Sequence, residues 1–158
     1  LAAGLSLAEV SDGLKNFSNI KGRLNIKQGI KDATLIDDTY NANPDSMKAA
    51  IDVLAAMPAP RIFVMGDMGE LGEDEAAAMH AEVGAYARDK GIEAAYFVGD
   101  NSVEAAETFG AEGLWFADKD PLIQVLSHDL PERATVLVKG SRFMKMEEVV
   151  EALAATTA

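Results

Sequence analysis

The sequence contains no cysteine, so it can form no disulfide bond and offers no thiolate ligand to a metal ion. Positive charge is also scarce, because 14 lysine and arginine residues stand against 26 acidic ones and the formal net charge is −12. Such an excess of negative charge argues against a surface that binds nucleic acid or anionic membranes. No apolar run is long enough to span a membrane, and no segment is repeated or of low complexity.

Apolar residues make up 49% of the chain, which is enough for one ordinary hydrophobic core. Several short, nearly continuous apolar runs each end in polar or glycine-containing residues. These runs lie at residues 35–36, 61–65, 95–98, 114–116 and 135–138. Runs of this kind are typical of strands that are buried on both faces of a parallel sheet.

Helical patterns separate the apolar runs. Each pattern places apolar residues on one helical face: Met47, Ala50, Ile51 and Leu54; Met79, Val83 and Tyr86; Leu122, Val125 and Leu126; Met146, Val149, Val150 and Leu153. Asp120-Pro121 is interpreted as a cap signal, and residues 24–28 with 33–36 predict an additional strand or hairpin. Strands that alternate with helices predict an α/β fold, a doubly wound, Rossmann-like and mostly parallel sheet with helices on both faces.

The first residues predict a separate element. A capping box at residues 6–9 indicates a short helix, and a polar, linker-like stretch follows at residues 18–22. We interpret residues 1–20 as the tail of a preceding domain and residues 21–158 as the α/β domain.

The most informative segment is the polar loop at residues 37–43, which contains two carboxylates, a hydroxyl, a phenol and two amides. Asn43-Pro44 then suits the N-cap and the first position of a helix. Ligands of open α/β sheets bind beyond the carboxyl ends of the strands, so this loop is expected to line a ligand site. Neighbouring residues on a strand point to opposite faces, so at most one of Asp37 and Asp38 reaches a ligand, and we favour Asp38.

Four motifs occur in order along nearly the whole chain. They are Lys21-Gly22-Arg23, Asp37-Asp38-Thr39-Tyr40-Asn41-Ala42-Asn43-Pro44, Gly66-Asp67-Met68-Gly69-Glu70-Leu71-Gly72, and Lys139-Gly140-Ser141 with Met146-Glu147. Together they resemble the C-terminal domain of the Mur ligases, and most of all the members that join D-alanyl-D-alanine to UDP-N-acetylmuramoyl-tripeptide. The resemblance implies ATP-dependent amide formation in bacterial peptidoglycan synthesis.

The resemblance also implies a division of labour between domains. The central ATPase domain of the family supplies the phosphate loop and the Mg²⁺ ligands, and the C-terminal domain closes over them. This chain has no Gly-x-x-x-x-Gly-Lys-Ser/Thr motif, so we expect it to be inactive alone, with ATP and Mg²⁺ bound mostly elsewhere. We further expect a cytoplasmic monomer that serves cell shape and division and binds neither nucleic acid nor membranes.

The resemblance implies nucleotide contacts for Arg23, Asp38, Tyr40, Asn41 and Asn43. Arg23 would reach ATP phosphates when the domains close, or it is a solvated surface residue. Asp38 would accept hydrogen bonds from ribose hydroxyls, or it caps its own loop. Tyr40 would stack on a base or cover the sheet edge. Asn43 has a competing role as an N-cap, which we favour.

Dipeptide contacts are assigned to Asp67, Glu70, Lys139, Ser141 and Arg142. Asp67 and Glu70 would hold the ammonium of the dipeptide and relay its proton, or they are acids that favour the N-terminus of a helix. Lys139, Ser141 and Arg142 would hold the dipeptide carboxylate. The alternative for Lys139 is an ion pair with Asp38 or Asp67 across neighbouring loops.

The two histidines receive neither a metal site nor a function. His80 is expected to be a half-buried structural residue, and His128 a surface residue near a helix end.

Two other classes of protein share this pattern. A phosphoacceptor receiver module also carries paired acids after its first strand and a lysine after its last, as Asp37, Asp38 and Lys139 do. Against a receiver, Gly140-Ser141 follows the lysine where proline is usual, and the central strand ends in a glycine-bearing loop. A non-catalytic α/β interaction domain is the remaining alternative.

Overall fold

The computed structural model describes residues 22–69 and 71–155, so the expected helix within residues 1–20 and the side chain of Glu70 lie outside the described residues. The strands of this part are β1 (Asn25–Gln28), β2 (Thr34–Asp38), β3 (Arg61–Gly66), β4 (Ala94–Val98), β5 (Gly113–Phe116) and β6 (Thr135–Lys139). The helices are α1 (Pro44–Ala55), α2 (Glu73–Asp89), α3 (Ser102–Phe109), α4 (Lys119–Asp129) and α5 (Glu147–Leu153). A 3₁₀ turn at Arg142–Met144 joins β6 to α5.

The strands form one sheet in the order β1-β2-β6-β3-β4-β5. Only β1 runs antiparallel, as the first half of the expected hairpin with β2. Because β6 is inserted between β2 and β3, the carboxyl ends of these three strands lie side by side. In the register of the sheet, Lys139 at the end of β6 is level with Asp38 on one neighbour and Met65 on the other.

Helices cover both faces of the sheet, as predicted. The crossovers that lead to β3, β4 and β5 all advance in one direction, and right-handed connections therefore place α1, α2 and α3 on one face. The return from β5 to β6 places α4 on the other face, where it packs with α5. Each face has its own apolar core, and the predicted apolar stripes of the helices pack into these cores.

Two sequence predictions about elements were wrong in detail. The run at residues 114–116 forms β5 at the edge of the sheet, where Leu114 is 43% and Trp115 40% exposed instead of buried. Helix α4 begins at Lys119 with Asp118 in the N-cap position, so Asp120 is not the cap. Pro121 instead lies in the first turn, where a missing N–H leaves no helical hydrogen bond unmade. Within residues 22–69 and 71–155, no helix combines the length and apolarity needed to cross a bilayer.

Candidate functional site

The candidate site lies at the carboxyl ends of β2, β3 and β6, where three loops meet. At its centre the ammonium of Lys139 lies 2.8 Å from Asp38 Oδ2. The same ammonium donates a second hydrogen bond, 2.9 Å long, to the backbone carbonyl of Asn41. The ion pair with Asp38 is one of the two alternatives that the sequence left open for Lys139, and it ties the β2 loop to the end of β6.

The neighbouring carboxylate, that of Asp37, has separate partners. Its Oδ2 accepts a hydrogen bond from Lys27 on β1 at 2.8 Å, and its Oδ1 accepts one from the Thr39 hydroxyl at 2.6 Å. The two acids therefore face different cations, as expected for consecutive strand residues. Among the residues that the structure describes, Asp38 Oδ1 accepts a long bond of 3.3 Å from the Leu24 amide.

Tyr40 brings together two arginines from distant parts of the chain. The guanidinium carbon of Arg23 lies 4.4 Å from the centre of the Tyr40 ring, and that of Arg142 lies 5.3 Å from it. Both distances are within the range of cation–π attraction. The tyrosine is 38% exposed, so the aromatic ring and the two cations form a partly solvated cluster at the sheet edge.

Asp67, which follows β3, is fixed by the N-terminus of α3. Its Oδ1 accepts hydrogen bonds from the amide and the hydroxyl of Ser102 at 2.8 and 2.7 Å, and its Oδ2 accepts one from the Asn101 amide at 3.1 Å. The structural alternative from the sequence, an acid that favours the N-terminus of the helix its own loop enters, is right in kind but wrong about the helix. The helix it caps is α3, which lies beyond the next strand, whereas its own loop leads into α2.

Ser141 joins the β6 loop to the β3 loop. Its amide and its hydroxyl both donate to the backbone carbonyl of Asp67, at 2.9 and 2.7 Å. The serine is buried, so its hydroxyl proton serves the protein backbone.

His80 on α2 is fully buried, and its side chain contacts the loop that follows β3. Its Nε2 accepts a hydrogen bond from the Met68 amide at 2.9 Å, so the ring proton resides on Nδ1, which donates to the Ala76 carbonyl at 2.7 Å. The sequence predicted a structural histidine, and the residue is more buried than expected. His128 lies near the end of α4 with an exposed side chain, as predicted.

A shallow pocket lies where the three loops meet. It is lined by Asn41, Gly69, Ser141, Arg142 and Phe143. Phe143 is 66% exposed, the largest exposure among the large apolar residues that the structure describes, and sequence reasoning missed it. A Cβ on Gly69 would lie 3.0 Å from the Phe143 ring, so glycine lets the ring lie close to the loop backbone.

A second pocket lies on the other side of Arg142. Its lining contains both charge signs: Gly22, Lys27, Asp37, Thr39, Tyr40, Arg142, Glu147 and Glu151. Arg142 therefore contributes to both pockets and to the Tyr40 cluster.

Lys119 of α4 holds the 3₁₀ turn that carries Arg142 and Phe143. Its ammonium donates to the Met144 carbonyl at 2.8 Å and lies 2.6 Å from Glu148 on α5. This hydrogen-bonded cation lowers the pKa of the Glu148 carboxyl.

The amide side chains of the β2 loop act locally. Asn43 Oδ1 accepts a hydrogen bond from the Ser46 amide at 2.8 Å and the Ser46 hydroxyl accepts one from the Asn43 amide, so the N-cap role is confirmed. Asn41 Oδ1 accepts a bond from the Ala42 amide at 2.8 Å. The nucleotide contacts assigned to both residues stay predictions.

A model of the family described as "Mur ligase, glutamate ligase domain" matches residues 22–142. The chain belongs to the Mur ligase family. This Mur ligase domain is 44% identical over 155 residues to the UDP-N-acetylmuramoyl-tripeptide–D-alanyl-D-alanine ligase of Escherichia coli K12, covering 97% of this chain and 34% of that protein. The corresponding ligase of Haemophilus influenzae is 42% identical, with 95% and 34% covered.

Solved structures of MurF ligases share the fold of this Mur ligase domain. The Acinetobacter baumannii enzyme superposes with a TM-score of 0.75 at 34% identity, covering 94% of this chain and 33% of that one. The Thermotoga maritima MurF ligase in complex with ADP gives a TM-score of 0.74 at 26% identity, with 84% and 30% covered. The chain thus spans about a third of the length of these relatives. The predicted family and fold class are confirmed, and the receiver alternative is set aside.

Proposed function

We propose that this chain is the C-terminal domain of an ATP-dependent ligase that joins D-alanyl-D-alanine to UDP-N-acetylmuramoyl-tripeptide, and that it is inactive alone. The observation that supports this proposal best is a sequence match. Nearly the whole chain matches about a third of the length of ligases that bear this name. The absence of a phosphate-loop motif from the sequence supports the second half of the proposal. In this proposal residues 1–20 end the ATPase domain, and residues 21–158 form the closing domain.

The proposed reaction has two steps. ATP transfers its terminal phosphoryl group to the carboxylate of the tripeptide, which gives an acyl phosphate and ADP. The amine of D-alanyl-D-alanine, after losing a proton, attacks the acyl carbon, and inorganic phosphate leaves as the amide forms. This domain contributes by holding the dipeptide in reach of the acyl phosphate, which converts an encounter in solution into a reaction within one complex.

We assign the dipeptide to the shallow pocket between the three loops. Arg142 is an exposed residue of this pocket, and its guanidinium suits the terminal carboxylate of the dipeptide. The exposed ring of Phe143 suits its methyl groups. The cation of Lys139 already has Asp38 and a carbonyl as partners, so we assign it a supporting role.

Asp67 and Ser141 also support the dipeptide pocket. Both oxygens of the Asp67 carboxylate accept hydrogen bonds from the α3 terminus, and Ser141 donates to the Asp67 carbonyl. Glu70, which lies outside the described residues, remains our candidate for holding the dipeptide ammonium and relaying its proton.

We assign the nucleotide to the side of the site that carries Arg23 and Tyr40. The arginine lies at the start of the described chain, next to the linker, so closure of the domain would bring its guanidinium to phosphate oxygens. Asp38 remains our candidate for ribose hydroxyls, with Asn41 and Asn43 nearby.

The proposed Mg²⁺ would arrive with ATP and be held mostly by residues outside this chain. Among the residues that the structure describes, no three histidine, aspartate or glutamate side chains are grouped so that they could hold a metal ion. We further propose that the complete enzyme is a cytoplasmic monomer that serves cell shape and cell division.

Steady-state kinetics of the complete ligase test the pocket. Arg142→Ala should raise the KM for D-alanyl-D-alanine about ten- to a hundredfold, because a charge-assisted hydrogen bond is lost in a closed site. Phe143→Ala should raise it about three- to tenfold through lost apolar contact. Arg88→Ala on α2 and Leu114→Ala on β5 are matched controls, because both side chains are exposed and neither lines the pocket.

Two results would contradict the proposal. Equal KM values for the dipeptide in the pocket variants and the controls would remove the dipeptide from this pocket. Micromolar binding of ATP to the isolated chain, measured by calorimetry, would show that the nucleotide site does not depend on the phosphate loop of another domain.

A further inference from the structure

Gly69 lines the proposed dipeptide pocket, and three contacts hold the two residues before it, Asp67 and Met68. The carboxylate of Asp67 is fixed by the N-terminus of α3, and its carbonyl is fixed by Ser141. The third contact is the hydrogen bond from the Met68 amide to Nε2 of His80. Gly69, the next residue, lines the pocket directly.

The contact with His80 depends on one tautomer of a buried ring. Nε2 must be unprotonated to accept the Met68 proton, and Nδ1 keeps the ring proton because it donates to Ala76. An apolar residue at this position would leave the Met68 amide buried without its acceptor, which is costly in a protein interior. The position therefore needs a side chain that accepts a hydrogen bond from the Met68 amide at its tip and donates one to the Ala76 carbonyl nearer the backbone.

We propose that His80 is a positioning residue that sets the Gly69 wall of the dipeptide pocket by accepting the Met68 N–H. The functional half of this inference rests on the proposed function of the pocket. His80 does not touch the substrate in this arrangement, and its effect reaches the dipeptide only through the backbone of Met68 and Gly69.

Two amide substitutions separate the hydrogen bonds of His80. In His80→Gln the side chain reaches the position of Nε2, so its oxygen can still accept the Met68 proton. In His80→Asn the amide ends near the position of Nδ1, so it can serve Ala76 but falls short of Met68. Both variants are polar and neutral, and each keeps one of the two hydrogen bonds of the histidine: Gln the bond to Met68 and Asn the bond to Ala76.

Hydrogen exchange on this chain measures the bond directly. The Met68 amide should exchange about three- to tenfold faster in His80→Asn than in the unaltered chain, the effect of losing one hydrogen bond. It should stay close to the unaltered value in His80→Gln. The Ser141 amide, which is bonded to the Asp67 carbonyl, serves as an internal reference for general loosening of the loops.

Kinetics of the complete ligase then measure the consequence. His80→Asn should raise the KM for D-alanyl-D-alanine about three- to tenfold with little change in the KM for ATP, and His80→Gln should restore it. Equal Met68 exchange in the Asn and Gln variants would overturn the positioning role. Faster Met68 exchange with an unchanged dipeptide KM would overturn the link to the pocket.

The pocket variants keep this failure separate from failure of the proposed function. If Arg142→Ala raises the dipeptide KM and His80→Asn does not, the pocket stands and the role of His80 is wrong. If neither variant affects the dipeptide KM, the proposed pocket is wrong, and His80 is left with a purely structural role.

Discussion

The ammonium of Lys139 and the carboxylate of Asp38 form an ion pair that is almost closed to solvent, with 4% and 11% of the two side chains exposed. The pair follows from the sheet, because β2 and β6 are parallel neighbours and these residues are level in the register. The second hydrogen bond of Lys139, to the Asn41 carbonyl, extends the pair into the β2 loop. This cation therefore holds together part of the surface that is proposed to bind substrates.

Replacing Lys139 with alanine should lower the free energy of unfolding by about 3–5 kcal/mol, because it leaves the carboxylate of Asp38 buried and uncompensated. The double variant Asp38→Asn/Lys139→Met should recover part of this loss, since neither charge then remains. Denaturant unfolding of the single and double variants measures both effects. In the complete ligase the KM values for ATP and for D-alanyl-D-alanine should rise together. A raised KM for the dipeptide alone, with unchanged stability, would instead identify Lys139 as a substrate ligand.

Replacing Asp67 with asparagine should destabilise the chain by about 1.5–3 kcal/mol, because the charged acceptor of the α3 N-terminus is lost. Ser102→Ala removes only the hydroxyl donor and should cost about 0.5–1.5 kcal/mol. Thermal or denaturant unfolding gives both values. A stability unaffected by Asp67→Asn would show that the carboxylate is free to act on a substrate.

Tyr40 should act through its ring, because both Arg23 and Arg142 lie over it. In the complete ligase Tyr40→Phe should therefore leave the kinetics nearly unchanged. Tyr40→Ala should raise the KM values for ATP and for the dipeptide by about two- to fivefold each, the loss expected for partly exposed cation–π contacts. An effect of Tyr40→Phe as large as that of Tyr40→Ala would indicate that the phenol hydroxyl carries the function.

The fold was predictable because local pattern and global topology agree. The apolar stripe of α1 is a case in point, since Met47, Ala50, Ile51 and Leu54 are all buried as the helical spacing predicts. The Asn43 cap was also predictable, because an N-cap is formed by residues within one turn. The edge position of β5 was not predictable from its own residues, since Leu114 and Trp115 are as apolar as residues of a central strand.

The candidate site was predictable only in its residue types. The sequence located polar loops after β2, β3 and β6. It could not choose between the possible hydrogen-bond and ion-pair partners of the side chains in these loops, because the strand order decides which loops lie close together. Asp67 is an example. Its carboxylate accepts hydrogen bonds from the N-terminus of α3, which follows the neighbouring strand, whereas the nearest helix in sequence is α2. Phe143 gave no signal, since an exposed aromatic residue in a loop is identified only when its solvent exposure is known.

The contact between α2 and α3 gives a further prediction at Gly84. A Cβ there would collide with the Ala105 carbonyl and the Thr108 hydroxyl. Gly84→Ala should therefore destabilise the chain by about 1–3 kcal/mol, even though alanine is favoured over glycine within a helix. Gly72→Ala is the control, because open space surrounds that position and the change should be within about 1 kcal/mol. Equal unfolding free energies for the two variants would contradict the close packing.

The last prediction concerns acid stability and the pair of Arg61 with Glu93, at the opposite end of the sheet from the candidate site. Arg61 Nε and a terminal guanidinium nitrogen bind the two carboxylate oxygens at 2.9 and 3.0 Å, and the Arg61 amide adds a third bond. The hydrogen bond with the guanidinium is the main cause that lowers the pKa of the Glu93 carboxyl in the folded chain, although partial burial opposes it.

A lowered pKa in the folded state means that folding favours the ionised carboxylate. The stabilisation from Glu93 is therefore fully present above its unfolded pKa, near 4.5, and is lost as the pH falls through the lower folded value. Glu93→Gln cannot titrate, so its deficit in unfolding free energy should be largest at pH 7 and shrink as the pH drops below about 4.5. Added salt should also reduce the deficit in unfolding free energy of Glu93→Gln, because the ion pair is partly exposed and is therefore screened. Urea unfolding from pH 7 to pH 3 measures this convergence, with Glu107→Gln at an exposed position of α3 as the control. A deficit that stays constant over this range would mean that the ionised form of Glu93 contributes nothing to stability.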